Sequence, residues 1–257
     1  MGRNESQVKN RVGEMNVNSF GSKMIIVNYN NALDLEVYFP QYDWYTRKTY
    51  NNFKKGGIVC PYEPRYFNHG YLGEGEYKMS IQGKHSKAYN SWHAMLQRCY
   101  DPKYHEKFPT YKDCSVEDYL LNFQHFNEWY DENYYEIPNE KMCLDKDILL
   151  KGNKVYSRET CIYVPERINA LLIKSDSTRG NYPIGVSYDR ERDCYRAECN
   201  NGKSHIFIGY YQNQHDAFVS YKKFKEKLIK ETAIKYKKSI PTKLFNALYN
   251  YEVDIND

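Results

Sequence analysis

Residues 144–169, LDKDILLKGNKVYSRETCIYVPERIN, gather four oxygen-bearing side chains around one Gly-containing turn. Asp145 and Asp147 flank Lys146, Asn153 follows Gly152, and Asn169 falls on the helix that should come next. A hard divalent cation such as magnesium takes carboxylate and amide oxygens. Asp145, Asp147, Asn153 and Asn169 are therefore the candidate catalytic set, with Asp147 and Asn169 as metal ligands. The same residues also have a purely structural use. Asp145 and Asp147 can brace the turn, Asn153 can supply a left-handed turn conformation, and Asn169 can hydrogen-bond the loop. No histidine lies between His125 and His205. The stretch thus lacks the side chain best suited to taking a proton near neutrality, and an ordinary aspartate, with a pKa near 4, is a weak base. His93, His105 and His125 lie elsewhere and read as helix-surface or core-edge residues. These residues fix no cofactor, and magnesium enters only if the turn cuts a phosphodiester.

A second group is basic and lies downstream. Arg179, Arg190, Arg192, Arg196, Lys203 and His205, together with Tyr188, lie on three short alternating segments and the loops that flank them. On the middle segment Tyr195 and Ala197 share one face, and Arg196 and Glu198 share the other. An arginine on an exposed strand can reach a guanine edge with two hydrogen bonds. Loop cations at positions 179, 190, 192 and 203 would meet phosphates. The acids Glu191 and Glu198 equally suit a solvated charged face.

These side chains need elements to hold them. Segments 24–27 and 34–39 read as strands, the latter with Leu35, Val37 and Phe39 on one side. Segments 49–53 and 57–60 read as further extended pieces, and the asparagines at 28–31 as a loop. Together they suggest a small β-rich, SH3-like module. Residues 61–75 read as a linker. A helix at 86–99 places Tyr89, Trp92, Met95, Leu96 and Cys99 on one face. A second, at 116–133, carries Leu120, Phe123, Phe126, Asn127 and Tyr130. Further on, 184–188, 194–199 and 204–209 alternate as strands, with an Asn-Gly turn at 200–202. A long helix runs from 213 to about 238, with Ala217, Tyr221, Phe224, Leu228 and Thr232 inward. A short docking helix closes the chain.

The turn at 144–169, read as strand, turn, strand and helix, resembles the metal site of HNH nucleases in the diverged form found in phages and mobile elements. Trp92, Met95, Arg98, Cys99 and Tyr100, followed by Phe123, Phe126 and Trp129, resemble the helical prelude of the same proteins. Residues 183–230, with G-V-S-Y and I-G-Y-Y at strand ends, resemble the apetala-type, ethylene-response-factor-like DNA-binding domain. The resemblance implies an α+β chain in four parts. These are an N-terminal β-module and linker (1–75), an HNH-like ββα domain with helical prelude (76–175), an apetala-type three-stranded sheet with one helix (182–239) and a tail (240–257). It implies double-stranded DNA as partner and a strand histidine as base, which this chain replaces by Leu144-Asp-Lys-Asp147.

Bulk properties narrow the classes. A net charge of +4 permits nucleic-acid binding without demanding it. The 28 tyrosines suit wet, half-buried contact surfaces. Seven scattered cysteines without a CxxC pair argue against a zinc knuckle and point to a reducing cytoplasm. No apolar run spans a membrane. Three functions fit: a DNA-binding protein with a non-cutting HNH-like centre, a magnesium-dependent HNH nicking endonuclease, and a phage factor that binds and inhibits a host defence or replication protein.

Overall fold

The computed structural model describes residues 10–173 and 181–255. It is α+β, as expected, and divides into two compact units, Met1–Tyr130 and Asp131–Asp257.

Unit 1 opens on a four-stranded antiparallel sheet of order β1-β2-β3-β4: β1 (Met15–Val17), β2 (Lys23–Asn31), β3 (Asp34–Phe39) and β4 (Trp44–Lys48). Period-two alternation buries Leu35, Val37 and Phe39 on one face. They join Met24, Ile26, Phe53, Ile58 and Cys60 in one cluster. Two expectations are corrected here. The asparagines at 28–31 are not a loop. They belong to β2, which tolerates them through register shifts between Ile26 and Asn28 and between Tyr29 and Asn31. Residues 49–53 are not extended either. Helix α1 (Tyr50–Lys54) forms because the Thr49 hydroxyl accepts from the Asn52 amide at 3.3 Å and Phe53 is buried.

Helix α2 (Lys87–Tyr100) is capped by Ser86, and its Tyr89, Trp92, Met95, Leu96 and Cys99 are all buried. Asp101 ends it and caps α3 (Pro102–Lys107). The helix expected at 116–133 is two helices, α4 (Asp118–Leu121) and α5 (Phe123–Asn133). Asn122 breaks it with extended dihedrals, and its side-chain oxygen then caps α5 through the Gln124 amide at 2.9 Å. Trp92 is fully buried and its indole N–H donates to the Leu120 carbonyl at 3.0 Å. The Trp92, Met95, Phe123 and Phe126 positions of the sequence resemblance are thus core residues.

Unit 2 begins with an antiparallel pair, β8 (Met142–Asp145) with β10 (Ile162–Pro165), after the short strands β5 (Ser80–Ile81), β6 (Lys84–His85) and β7 (Ser115–Val116) of unit 1. Strand β9 (Val155–Tyr156) lies in the connection, and α6 (Glu166–Leu171) follows β10. Next comes a three-stranded antiparallel sheet of order β11-β12-β13: β11 (Val186–Asp189), β12 (Cys194–Asn200) and β13 (His205–Tyr211). Helix α7 (Gln214–Tyr236) is capped by Asn213, whose side-chain oxygen accepts from the Asp216 amide at 2.9 Å. Helix α8 (Thr242–Tyr249) buries Leu244 and Leu248.

Helix α7 serves two cores. Its first half puts Ala217, Phe218 and Tyr221 against Val186, Ala197 and Cys199 of the sheet. Its second half puts Ile229, Ala233 and Tyr236 against Ile162, Val164, Ile168 and Leu171, with Leu244 and Leu248 of α8. The β8–β10–α6 element and the three-stranded sheet therefore share one helix.

Between these cores Lys225 is buried, its ammonium donating to the Asn200 carbonyl at 3.2 Å. Burial pulls its pKa below the ordinary lysine value. The unfolded chain then holds the proton more tightly than the fold does, so stability should rise as pH climbs toward the ordinary lysine pKa. Lys225→Met should stabilise unit 2 by about 1 kcal/mol at neutral pH and flatten that rise. Urea melts at pH 7 and pH 10 measure both, and a destabilised variant at pH 7 would refute the account.

Candidate functional site

The 144–169 turn is built as a ββα element. Antiparallel pairing sets Ile162 opposite Asp145 at the end of β8, and Asn169 lies half-buried on α6. The Asp145 side chain folds back on the chain. One of its oxygens accepts from the amides of both Asp147 and Ile148 at 2.9 Å. Asn153 spans the loop: its amide nitrogen donates to the carbonyls of Lys146 and Val155, each at 2.7 Å, and its oxygen accepts from the Val155 amide at 3.2 Å. Asp147 has the buried Lys146 ammonium 3.5 Å away. Burial, and then the charge of Asp147, push the Asp145 carboxyl up to about 6.

One Asp145 oxygen and the Asn153 amide are therefore engaged in holding the turn, and a cation already stands beside Asp147. Among the described residues, no group of three or more histidine, cysteine, aspartate or glutamate side chains is placed to hold a metal ion.

The three-stranded sheet is different. Its inner face carries Val186, Ala197 and Cys199 under α7. Its outer face is a set of cross-strand rows. Ser187, Arg196 and Tyr210 form one row, Glu198 and Phe207 the next, and Asn200 and His205 the last. Phe207 and Tyr210 are 49% and 42% exposed. They stand three residues apart and would face opposite sides of a regular strand. The register steps from Ala197↔Gly209 to Glu198↔Phe207, so Ile208 is an extra residue. That bulge returns both rings to one face, 4.9 Å apart between centroids.

Arginines cover both rings. Arg196 lies 5.6 Å above Phe207 and Arg192 lies 5.1 Å above Tyr210. The Arg196 guanidinium also donates to Glu198, while its buried Nε has no hydrogen-bond partner. Arg192 is steadied by Asp189 at 3.2 Å. Lys203 and His205 are exposed at the hairpin end. There the Asn201 side chain accepts from the Lys203 and Ser204 amides at 2.9 Å.

The predicted residues thus separate. Arg192, Arg196 and His205 reach one surface, with Arg190 and Lys203 exposed in the flanking turns. Tyr188 alternates with Ser187 and so falls on the Val186 side of the sheet. It packs on Tyr195 at 5.2 Å, and its hydroxyl donates to Asp193, which drives its pKa up to about 12. Arg179 lies outside the described residues. Phe207 and Tyr210 escaped the sequence reading, while Ser187 falls beside Arg196 as expected. Phe207 and Tyr210, two of the three aromatic residues in the third strand, were the available signal, but the bulge that unites them leaves no mark in the alternation.

Among the described residues, no helix is long and apolar enough to cross a membrane, and all seven cysteines are free thiols. No family model, curated protein or solved structure matches this chain.

Proposed function

We propose that this chain is a DNA-binding protein that reads a duplex with the outer face of its C-terminal sheet. The supporting observation is the row Ser187–Arg196–Tyr210 beside Phe207, an exposed patch of aromatic rings and arginines on a sheet whose other face is covered by α7. A sheet of this size fits the major groove. The Arg196 Nε without a partner costs on the order of 1–3 kcal/mol, and turning the guanidinium from Glu198 to a base edge would recover it. Arg190, Arg192 and Lys203 would meet phosphates. The ββα turn serves as a positioning element, since Asp145 and Asn153 brace its backbone.

Charge sets the strength of binding. Residues 182–211 carry Arg190, Arg192, Arg196 and Lys203 against Asp189, Glu191, Asp193 and Glu198, a balance of four and four. Attraction to a polyanion is therefore modest, and affinity should fall with salt at a log–log slope of about −3, for about three phosphate contacts. The test is fluorescence anisotropy on a randomised duplex pool, followed by selection and sequencing. Arg196→Ala should cost about tenfold on selected sequences and little on random ones, whereas Lys203→Ala should weaken both alike and flatten the slope by about one. Absence of duplex binding at about 50 mM salt would sink the reading.

The balanced charge favours a second reading, a protein partner seated on the same face, since exposed aromatics with arginine are typical interface anchors. A host protein retained from nuclease-treated lysate by the wild type but not by Phe207→Ala, with no duplex binding, would put this reading first.

A further inference from the structure

An open groove of about 530 Å³ runs along α7, away from the sheet. One wall is α7 itself, with Lys222, Lys223, Lys227 and Lys230; the other is the end of α8 and the chain that follows it, from Tyr249 to Glu252. The walls are fastened together. Lys222 donates to Glu226 and to the Val253 carbonyl, both at 2.6 Å, and Glu226 accepts from the Val253 amide at 2.9 Å. Lys151 adds a further tie, reaching the Glu252 carbonyl at 3.1 Å.

The lysines are unevenly compensated. Lys222 is neutralised by Glu226. Lys227 has only the exposed Glu231 at 3.8 Å, a pair that contributes little in water. Lys223 and Lys230 are exposed and make no ion pair among the described residues. Positions 223, 227 and 230 recur at helical spacing and form one stripe, about 10 Å long at 1.5 Å per residue. Aromatic surface borders it: Lys230 stands 4.1 Å from the Tyr249 ring centre, Tyr249 is 38% exposed, and Tyr251 lines the same wall. Tyr221 and Lys225 of the same helix are buried, so this stripe and the outer face of the sheet are separate surfaces.

We infer that this groove binds single-stranded nucleic acid, independently of the sheet. A cationic track that follows a sugar-phosphate backbone, with aromatic rings beside it for unpaired bases, is how single strands are held without sequence preference. A duplex presents no free base faces to the tyrosines. Three lysines in one stripe can neutralise about three phosphates of one strand.

The probe is a labelled oligothymidylate of about twelve nucleotides, titrated against the full chain by anisotropy. Binding should follow a log–log salt slope of about −2, the single-strand value for three neutralised phosphates. The double variant Lys223→Glu/Lys230→Glu should lose at least about tenfold, since each reversal replaces attraction by repulsion at an exposed position. Tyr249→Ala should lose several-fold, while Arg196→Ala, on the sheet, should leave this affinity unchanged. If the double variant keeps wild-type affinity, or polyglutamate of equal charge competes as well as the oligonucleotide, the inference fails. Duplex binding lost in Arg196→Ala but kept in the double variant would separate this site from the sheet, and oligothymidylate binding in a protein that binds no duplex would support the groove alone.

Discussion

Gly185→Ala will cost the C-terminal unit about 3 kcal/mol, roughly 1 from a left-handed backbone and roughly 2 from overpacking, and its melting temperature will fall by about 10 °C. Gly185 has φ +76°, a conformation that suits a residue without Cβ. A methyl group there would stand 2.1 Å from Cδ2 of Tyr221. Tyr221 is 4% exposed and held between Ala217, Phe218 and the sheet, so the ring has nowhere to go. In a Tyr221→Leu background the same substitution should cost only about 1 kcal/mol, and the double-mutant cycle should report about 2 kcal/mol of coupling. A Gly185→Ala variant within about 0.5 kcal/mol of wild type in urea would refute this contact. Displacing β11 also moves Ser187 out of register with Arg196, so outer-face binding should weaken with stability.

The second large effect separates a turn brace from a metal site. Asp145 carries a carboxyl pushed up to about 6 while accepting two backbone amides. Between about pH 4, its unfolded value, and pH 6 the folded chain holds the proton that the unfolded chain releases. Stability should therefore decline as pH rises through that window and then stay lower by about 2 kcal/mol. Asp145→Asn keeps the accepting oxygen and removes the charge. It should match wild type near pH 3.5 and exceed it by about 2 kcal/mol at pH 7 to 8. Asp145→Ala loses the acceptor and should fall about 2 kcal/mol below Asp145→Asn at every pH. Millimolar magnesium should move the melting temperature of none of the three. A magnesium-dependent rise in wild type that vanishes in Asp145→Asn would restore the turn as a cation site and reopen the question of cutting.

Much of the fold could be read where burial follows a clean period. The alternation of Leu35, Val37 and Phe39 and the helical stripe from Tyr89 to Cys99 each face a single core, so pattern and structure coincide. The reading failed where a polar side chain outweighs the pattern. Thr49 and Asn122 each set a helix boundary through one hydrogen bond, against neighbours that suggest a strand in the first case and a continuous helix in the second. It also failed where one element serves two cores. The stripe Ala217, Tyr221, Phe224 and Leu228 was visible, but Phe218, Lys225, Ile229, Ala233 and Tyr236 are buried as well, because α7 is covered on more than one side. At the candidate sites, residue types pointed to Asp145, Asn153 and Arg196. What those groups are attached to, and the pairing of Phe207 with Tyr210, depends on a turn and a bulge that residue types alone do not encode.

The helix held in common has an evolutionary corollary. A module that folds by itself can be copied into new genes as a cassette, because excision leaves nothing greasy uncovered. Here, cutting after Asn181 would strip Ile229, Ala233 and Tyr236 of the strands they lean on. The two halves of this unit are therefore bound to travel, and to diverge, together.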